Sequence, residues 1–384
     1  MTTSIKKSAI LKHRELLALD FNQITSNNFF LSGGWFELYL QAWPEKSFYA
    51  AVDVGSATEP ALVFLGKSIQ RSKLGSKISS LYFNETGDQR LQNFTVEYND
   101  FLSKSIDNNS VQFAQEDFTK RLALLFENIG SLEDWDELQI SAIDSTFLPN
   151  IRDLCVRNGY LINVHYERTT YWADLSFGDE QKENSYLSTR SSNTRSQLRK
   201  ALRTTEAALG KLNIEFAGDT ETAKLWFDEL GKLHRIRWNQ TGDGIGFNNP
   251  VFVQFHQKLI DSMFPQSRLF IVRLSAGMTP LAFLHFFAYE KNVYFNLGGI
   301  DYQVAGANKP GLLAHWFAIE KFIEMGILKY DFMAGFSQYK QSLSTHTSDQ
   351  IKVIIRKKKL TFRIESLLRS IKQYAKRNSA TPVG

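Results

Sequence analysis

Four groups of residues carry side chains suited to chemistry. His234 and Arg237 stand three apart in Leu233-His-Arg-Ile-Arg-Trp238, which puts imidazole and guanidinium on one face of a helix. An unperturbed imidazole titrates near neutral pH, so His234 is a candidate general base. Arg237 could bind the phosphate or carboxylate of a second substrate. Asp331 lies in the strand-like run from Lys329 to Met333. It is a candidate base or the orienter of one, although a strand Asp serves equally as a structural hydrogen-bond acceptor. In Tyr339-Lys340 the phenol is a candidate acid, and the ammonium could hold a phosphate or an acceptor. Finally, Lys309-Pro-Gly-Leu-Leu313 reads as a helix start. Its backbone N–H groups and positive helix end favour a phosphate near Gly311, Leu312 and Leu313, with Lys309 adding a point charge. The competing reading there is an ordinary proline-started helix; for His234 it is packing beside Trp238.

The elements that must position these groups alternate between helix and strand, which predicts a mixed α/β fold. In the first part, Trp35 to Leu40 reads as a helix closed by Pro44. Phe48–Val54, Ala61–Leu65, Leu138–Ile143, Tyr160–Val164 and Tyr171–Leu175 read as strands. Asp117 begins a helix carrying Phe118, Leu122, Leu125 and Phe126 on one face. A basic helix over about Ser188 to Leu209 ends at Gly210, and a second helix runs from Trp226 into Trp238. After the glycine-rich loop Thr241–Gly246 comes a helix over Phe252–Met263. Leu269–Leu274, Leu281–Tyr289 and Val293–Leu297 then form an antiparallel meander. The helix begun at Pro310 buries Leu312, Trp316, Ile319 and Ile323 and stops at Gly326.

With 384 residues the chain exceeds one compact core. We expect two domains of related topology, 1–188 and 189–355, each with its own sheet, and a basic tail over 356–384. The single Cys155 excludes internal disulfides, and seven scattered histidines lack the spacing of a zinc site. No signal-peptide core and no run of eighteen apolar residues is seen, so the expected compartment is cytoplasmic. The net charge is +5. Basic residues cluster at Arg190–Arg203 and at Arg356–Arg363. Such clusters suit anionic partners or stand as solvated helix faces.

The order meander, loop, helix, strand resembles the acyl-CoA-binding core of the GNAT superfamily. The residues resemble its tandem branch, which includes FemAB and CelD-like proteins. The matching segments are Arg195-Ser-Gln-Leu-Arg-Lys200, Leu233-His-Arg-Ile-Arg-Trp238, Gly299-Ile-Asp-Tyr302, Pro310-Gly-Leu-Leu313 and Asp331-Phe-Met-Ala-Gly335 followed by Tyr339-Lys340. Gln303-Val-Ala-Gly306-Ala-Asn308 departs at its last position from the pyrophosphate motif common in GNAT enzymes.

The resemblance implies two GNAT-like domains of the acyl-CoA N-acyltransferase fold joined by the basic helix. It implies transfer of an acyl group from acyl-CoA, without a metal, to an amine or hydroxyl of a sugar, polysaccharide precursor or related metabolite. The thioester arm would lie along Leu297 and Gly298, with Gly298-Gly299 opening the sheet. Its pyrophosphate would lie at Lys309 to Leu313, with Tyr339 giving a proton to the thiolate. His234, Arg237, Asp331 and Tyr339 are expected to face one cleft between the two halves. Two other readings stay open. One is an aminoacyl-tRNA-dependent transferase of FemAB type, the only reading that involves nucleic acid. The other is a non-catalytic exopolysaccharide assembly factor. The basic tail would suit docking to a membrane surface or a protein, or would pack on the core.

Overall fold

A computed structural model describes residues 10–11, 28–44, 47–55, 61–72, 75–91, 94, 96–103, 111–130, 132, 134–176, 186–238, 245–305 and 309–359. Most of the Thr241–Gly246 loop, the end of the Gln303–Asn308 segment and the tail beyond Lys359 lie outside these residues.

The first half contains β1 (Ile10–Leu11), α1 (Gly33–Gln41), β2 (Phe48–Asp53), β3 (Ala61–Arg71), β4 (Lys77–Phe83) and β5 (Leu102–Ser103). It continues through α2 (Val111–Gly130), β6 (Glu137–Asp144), α3 (Leu148–Arg157) and β7 (Leu161–Asp174). The basic helix α4 (Ser192–Leu209) follows. The Ser191 hydroxyl accepts the Thr194 N–H at its start, and Gly210 ends it at a φ of 96°. Then come β8 (Leu212–Phe216), α5 (Thr220–Trp238), α6 (Ile245–Asn248) and α7 (Pro250–Met263). The strands β9 (Leu269–Ala276), β10 (Thr279–Tyr289) and β11 (Asn292–Ile300) form the meander. The chain ends with α8 (Tyr302–Ala305), α9 (Pro310–Glu324), β12 (Lys329–Ala334), α10 (Gln338–Leu343) and β13 (His346–Arg356).

The two halves repeat one plan. In the first, the meander β2-β3-β4 is followed by a parallel partner, β6, reached through α2. In the second, β9-β10-β11 is followed by the parallel β12, reached through α9. Each half then adds a short helix and a last strand, and those last strands are exchanged. β7 pairs antiparallel with β12 of the second half, and β13 pairs antiparallel with β6 of the first. β7 and β13 also pair with each other over Leu161–Trp172 and His346–Arg356. One 13-stranded sheet therefore runs through the molecule. This corrects the expectation of two separate sheets: the open edges of β6 and β12 are each closed by the other half's strand. No element is expected from the sequence over 77–83 or 346–356. β13 opens on His-Thr-Ser-Asp-Gln, without apolar alternation, and becomes a strand because β6 and β7 flank it. The separate strands expected at 160–164 and 171–175 are one continuous strand, β7.

Three cores hold the layers. Helices α2 and α3 pack on one face of the first half through Phe118, Leu122, Ile151 and Leu154, with Val353 and Ile355 of β13. Helices α4 and α9 cover the same sheet in the second half through Leu198, Leu313, Ile319 and Phe322. On the opposite face α1, α5 and α7 meet over β10 and β11, so Trp35, Phe36 and Phe64 of the first half pack with Phe227, Phe255 and Phe287 of the second. Burial of this much aromatic surface welds the halves together.

Candidate active site

The site exists because two parallel strands part. β11 and β12 pair only over Asn292–Tyr294 and Lys329–Asp331. β11 continues to Ile300 beside β10, whereas β12 bulges between Asp331 and Met333, with Met333 at a φ of 60°. The chain then bends toward β7, and the Gly335 N–H donates to the Thr169 carbonyl at 3.1 Å. A cavity of about 700 Å³ opens in the split, within the range of small-molecule sites. One wall is β11 from Phe295 to Gly298, whose edge on this side lacks a β12 partner. The facing wall is Ala334 to Lys340, and the first turn of α9 and the end of α5 close the ends.

His234, Arg237, Leu297, Gly298, Lys309, Gly311, Leu312, Tyr339 and Lys340 all line this cavity. Two residues singled out from the sequence do not. Leu313 is fully buried in the core under α9, because it lies on the inner face of the helix. Asp331 is also fully buried, on the face of β12 turned to the first half. One of its oxygens accepts from the Tyr98 hydroxyl and the Met333 N–H, both at 2.7 Å; the other pairs with Lys329 at 2.9 Å. Asp331 thus holds the bulge that makes the strands diverge and does not reach the cavity. A Cβ on Gly299 would meet the Leu230 carbonyl at 2.6 Å. That glycine serves the close approach of α5, and Gly298 alone of the pair lines the cavity.

The electrostatics separate the candidates. Burial, then Arg237 and Arg235, lower His234 to about 4, so its imidazole is neutral at neutral pH and a weak base. Among the described residues its buried Nδ1 has no hydrogen-bond partner, and its ring lies against Phe247 and Trp238. Burial lowers Lys340 to about 8, against the opposing pull of Glu97 and Asp331, and its Nζ donates to the Ala334 carbonyl at 2.9 Å. Burial raises the Tyr339 phenol well above its ordinary value, so it stays protonated. Arg237 donates to the Tyr302 hydroxyl and lies over that ring at 5.0 Å. Lys309, in the left-handed region at a φ of 54°, begins α9 and donates from Nζ to Gln197 Oε1 of α4 at 2.9 Å. In α4 itself, Arg195 donates to the Arg190 carbonyl, and Arg190 reaches the carbonyls of Leu343 and Ser344. These two arginines therefore serve the backbone.

His315, on an otherwise apolar helix face that suggests a core or groove residue, is buried and lines the cavity. Its Nδ1 is 2.6 Å from the Tyr330 hydroxyl, and its ring stacks on Tyr339 at 4.7 Å. The available signal is helical spacing: Gly311, Leu312 and His315 fall on one face of α9. Phe295, Asn296 and Phe336 also line the cavity and carry no such signal. Cys155 lies elsewhere, on the buried face of α3, where burial pushes its thiol up to about 12.

Residues 192–341 match the family model of an acetyltransferase (GNAT) domain. No curated protein matches the chain in sequence. Among solved structures, FemX is similar at 12% identity with a TM-score of 0.53, covering 91% of this chain and 96% of that one. A conserved protein of unknown function from Bacteroides thetaiotaomicron is similar at 9% identity, with a TM-score of 0.52, covering 91% of this chain and 99% of that one. The C-terminal domain (DUF2156) of a protein designated a lysylphosphatidylglycerol synthetase, from Agrobacterium fabrum, gives 10% identity and a TM-score of 0.50 over 94% and 96% of the two chains. These likenesses establish a mixed α/β fold of GNAT type. Among the described residues no helix is long and apolar enough to cross a membrane.

Proposed function

We propose that the protein is an acyltransferase that takes an acyl group from acyl-CoA and delivers it to an amine or hydroxyl of a sugar, polysaccharide precursor or related metabolite in the cytoplasm. The observation that carries this reading is the divergence of β11 and β12 around a cavity with the start of α9 at its edge. The free edge of β11 can pair with an amide-bearing arm as an added strand would. The positive end of α9 and Lys309 suit the pyrophosphate at the other end.

In the transfer the thioester supplies the acyl carbon: its bond to sulfur breaks, a bond to the acceptor nitrogen or oxygen forms, and the acceptor's proton is exchanged for one on the sulfur. The chain's own groups fit these proton movements. Tyr339, protonated and stacked on the His315 ring, would give the proton. Lys340, titrating near 8, is better matched than His234 to accept one at neutral pH. The neutral His234 is left to orient the acceptor, and Arg237 to hold its anionic part.

The test is calorimetric titration with acetyl-CoA, longer acyl-CoAs and free CoA. Binding of at least one thioester is expected, weakened by about 1–2 kcal/mol in Lys309→Glu through loss of a charge-assisted contact. No binding by any of the three would refute the reading. Unchanged affinity in Lys309→Glu would move the phosphate site away from α9.

A further inference from the structure

The first half holds a second cavity, of about 530 Å³, on the sheet face that carries α1. Its floor is polar where the opposite face of the same strands is core. Tyr82 accepts from Gln70 and shares a hydrogen bond with Ser68, while Glu85 Oε2 accepts from Ser141 at 3.1 Å. Arg168 and Lys352 line it too and make no ion pair among the described residues. The Arg168 guanidinium lies over the Tyr166 ring at 4.4 Å. Glu85 faces these cations, but burial raises it to about 7, so near neutral pH its carboxylate only partly offsets them. A sheet face bare to water commonly carries polar residues. A walled pocket lined by tyrosines, with two cations that only Glu85 faces in part, is a more particular arrangement.

Lining residues of the two cavities come near one another along β7. Arg168, in the wall of the second, is two residues from Thr170 on β7, about 7 Å along the strand. Thr170 is the register partner of Ala334, which lines the first cavity. Nearby, Phe336, also lining the first cavity, is 77% exposed, and no element among the described residues covers it, an unusual position for a phenylalanine.

We propose that the second cavity binds an anionic carbohydrate, the acceptor of the transfer, with its carboxylate or phosphate at Arg168 and Lys352. A sugar ring lies against Tyr166, and the chain passes over Phe336 so that its reacting hydroxyl or amine enters the first cavity. The role as acceptor rests on the function proposed above; the binding site itself does not. Planar aromatic faces suit the C–H face of a sugar, and a guanidinium fork suits carboxylate and phosphate alike.

The experiment is calorimetric titration of the full chain with a galacturonic acid tetramer, glucose 1-phosphate, maltotetraose and inorganic phosphate. One acidic sugar is expected to bind at least about tenfold tighter than both maltotetraose and inorganic phosphate, as one charge-assisted contact provides. Which of the two binds identifies a carboxylate or a phosphate as the anionic group. Arg168→Gln, at an exposed position, and Lys352→Gln should each remove that advantage while acetyl-CoA binding and the unfolding midpoint stay as in wild type. Equal binding of all four probes, binding of none, phosphate as tight as the sugars, or an advantage that survives both variants would each overturn the proposal. If no CoA thioester binds but the acidic sugar preference holds, the transfer reading fails and the site stands. If thioesters bind without that preference, the site fails alone.

Discussion

Replacing Gly299 by alanine tests whether the position of α5 sets the cavity. An ideal Cβ at residue 299 would lie 2.6 Å from the Leu230 carbonyl oxygen, 2.8 Å from its Cα and 3.1 Å from its carbonyl carbon. All three are backbone atoms of α5, so no side chain can swing aside. Ordinary contact begins near 3.4 Å, so α5 must withdraw by the difference, about 0.8 Å, from a sheet it packs against at core density. Phe227 and Leu230, both fully buried, would lose contact with β10 and β11. Overpacking of this kind costs about 1–3 kcal/mol, which for a chain of this length lowers the unfolding midpoint by roughly 1–4 °C. His234 and Arg237, one and two turns further along α5, close one end of the cavity beside Leu297 and Gly298; as they move with the helix the cavity around the thioester arm opens, so acyl-CoA affinity should fall as well. Differential scanning calorimetry and thioester titration read the two effects. A Gly299→Ala protein with wild-type midpoint and wild-type affinity would refute the claim that this glycine fixes α5 on β11.

Asp331→Asn should lower stability by about 2–3 kcal/mol in denaturant titration, because it leaves Lys329 without its partner and weakens the bonds that hold the β12 bulge. If Asp331 were instead the catalytic base, turnover would collapse with stability intact. Tyr339→Phe should reduce kcat by about 10²-fold or more with donor affinity nearly unchanged, as removal of a proton donor does; equal turnover in the variant would exclude the phenol. Glu85 has its folded-state value raised to about 7 by burial. Its favourable contribution is therefore fully present below about pH 4.5 and lost as pH rises through 7. Glu85→Gln should gain on wild type across that window, by about 3 kcal/mol at most, and hold its lead above it; a difference that does not change with pH would show that Glu85 is not desolvated.

Much of the second half was determined locally. The turns at Ala276–Met278 and Glu290–Asn292, with apolar runs between them, specify β9, β10 and β11 whatever surrounds them. Pro310 and Gly326 bracket α9, and helical spacing alone puts His234 with Arg237 and Gly311 with Leu312. Those short-range periodicities are why nine of the eleven residues singled out from the sequence line one cavity. What the tertiary structure decided depends on partners distant along the chain. β7 and β13 could each have closed their own half, and only their exchange makes one sheet of two halves. Asp331 reads as a site residue until Tyr98, 233 positions away, takes its carboxylate. His234 reads as a base until burial and two arginines make it a weak one, while the same burial brings Lys340 toward neutrality. The second cavity has no local signature either: Glu85, Arg168 and Lys352 come from three separate segments. Strand partnership and proton affinity are set by surroundings, and surroundings come into being only when the chain has folded.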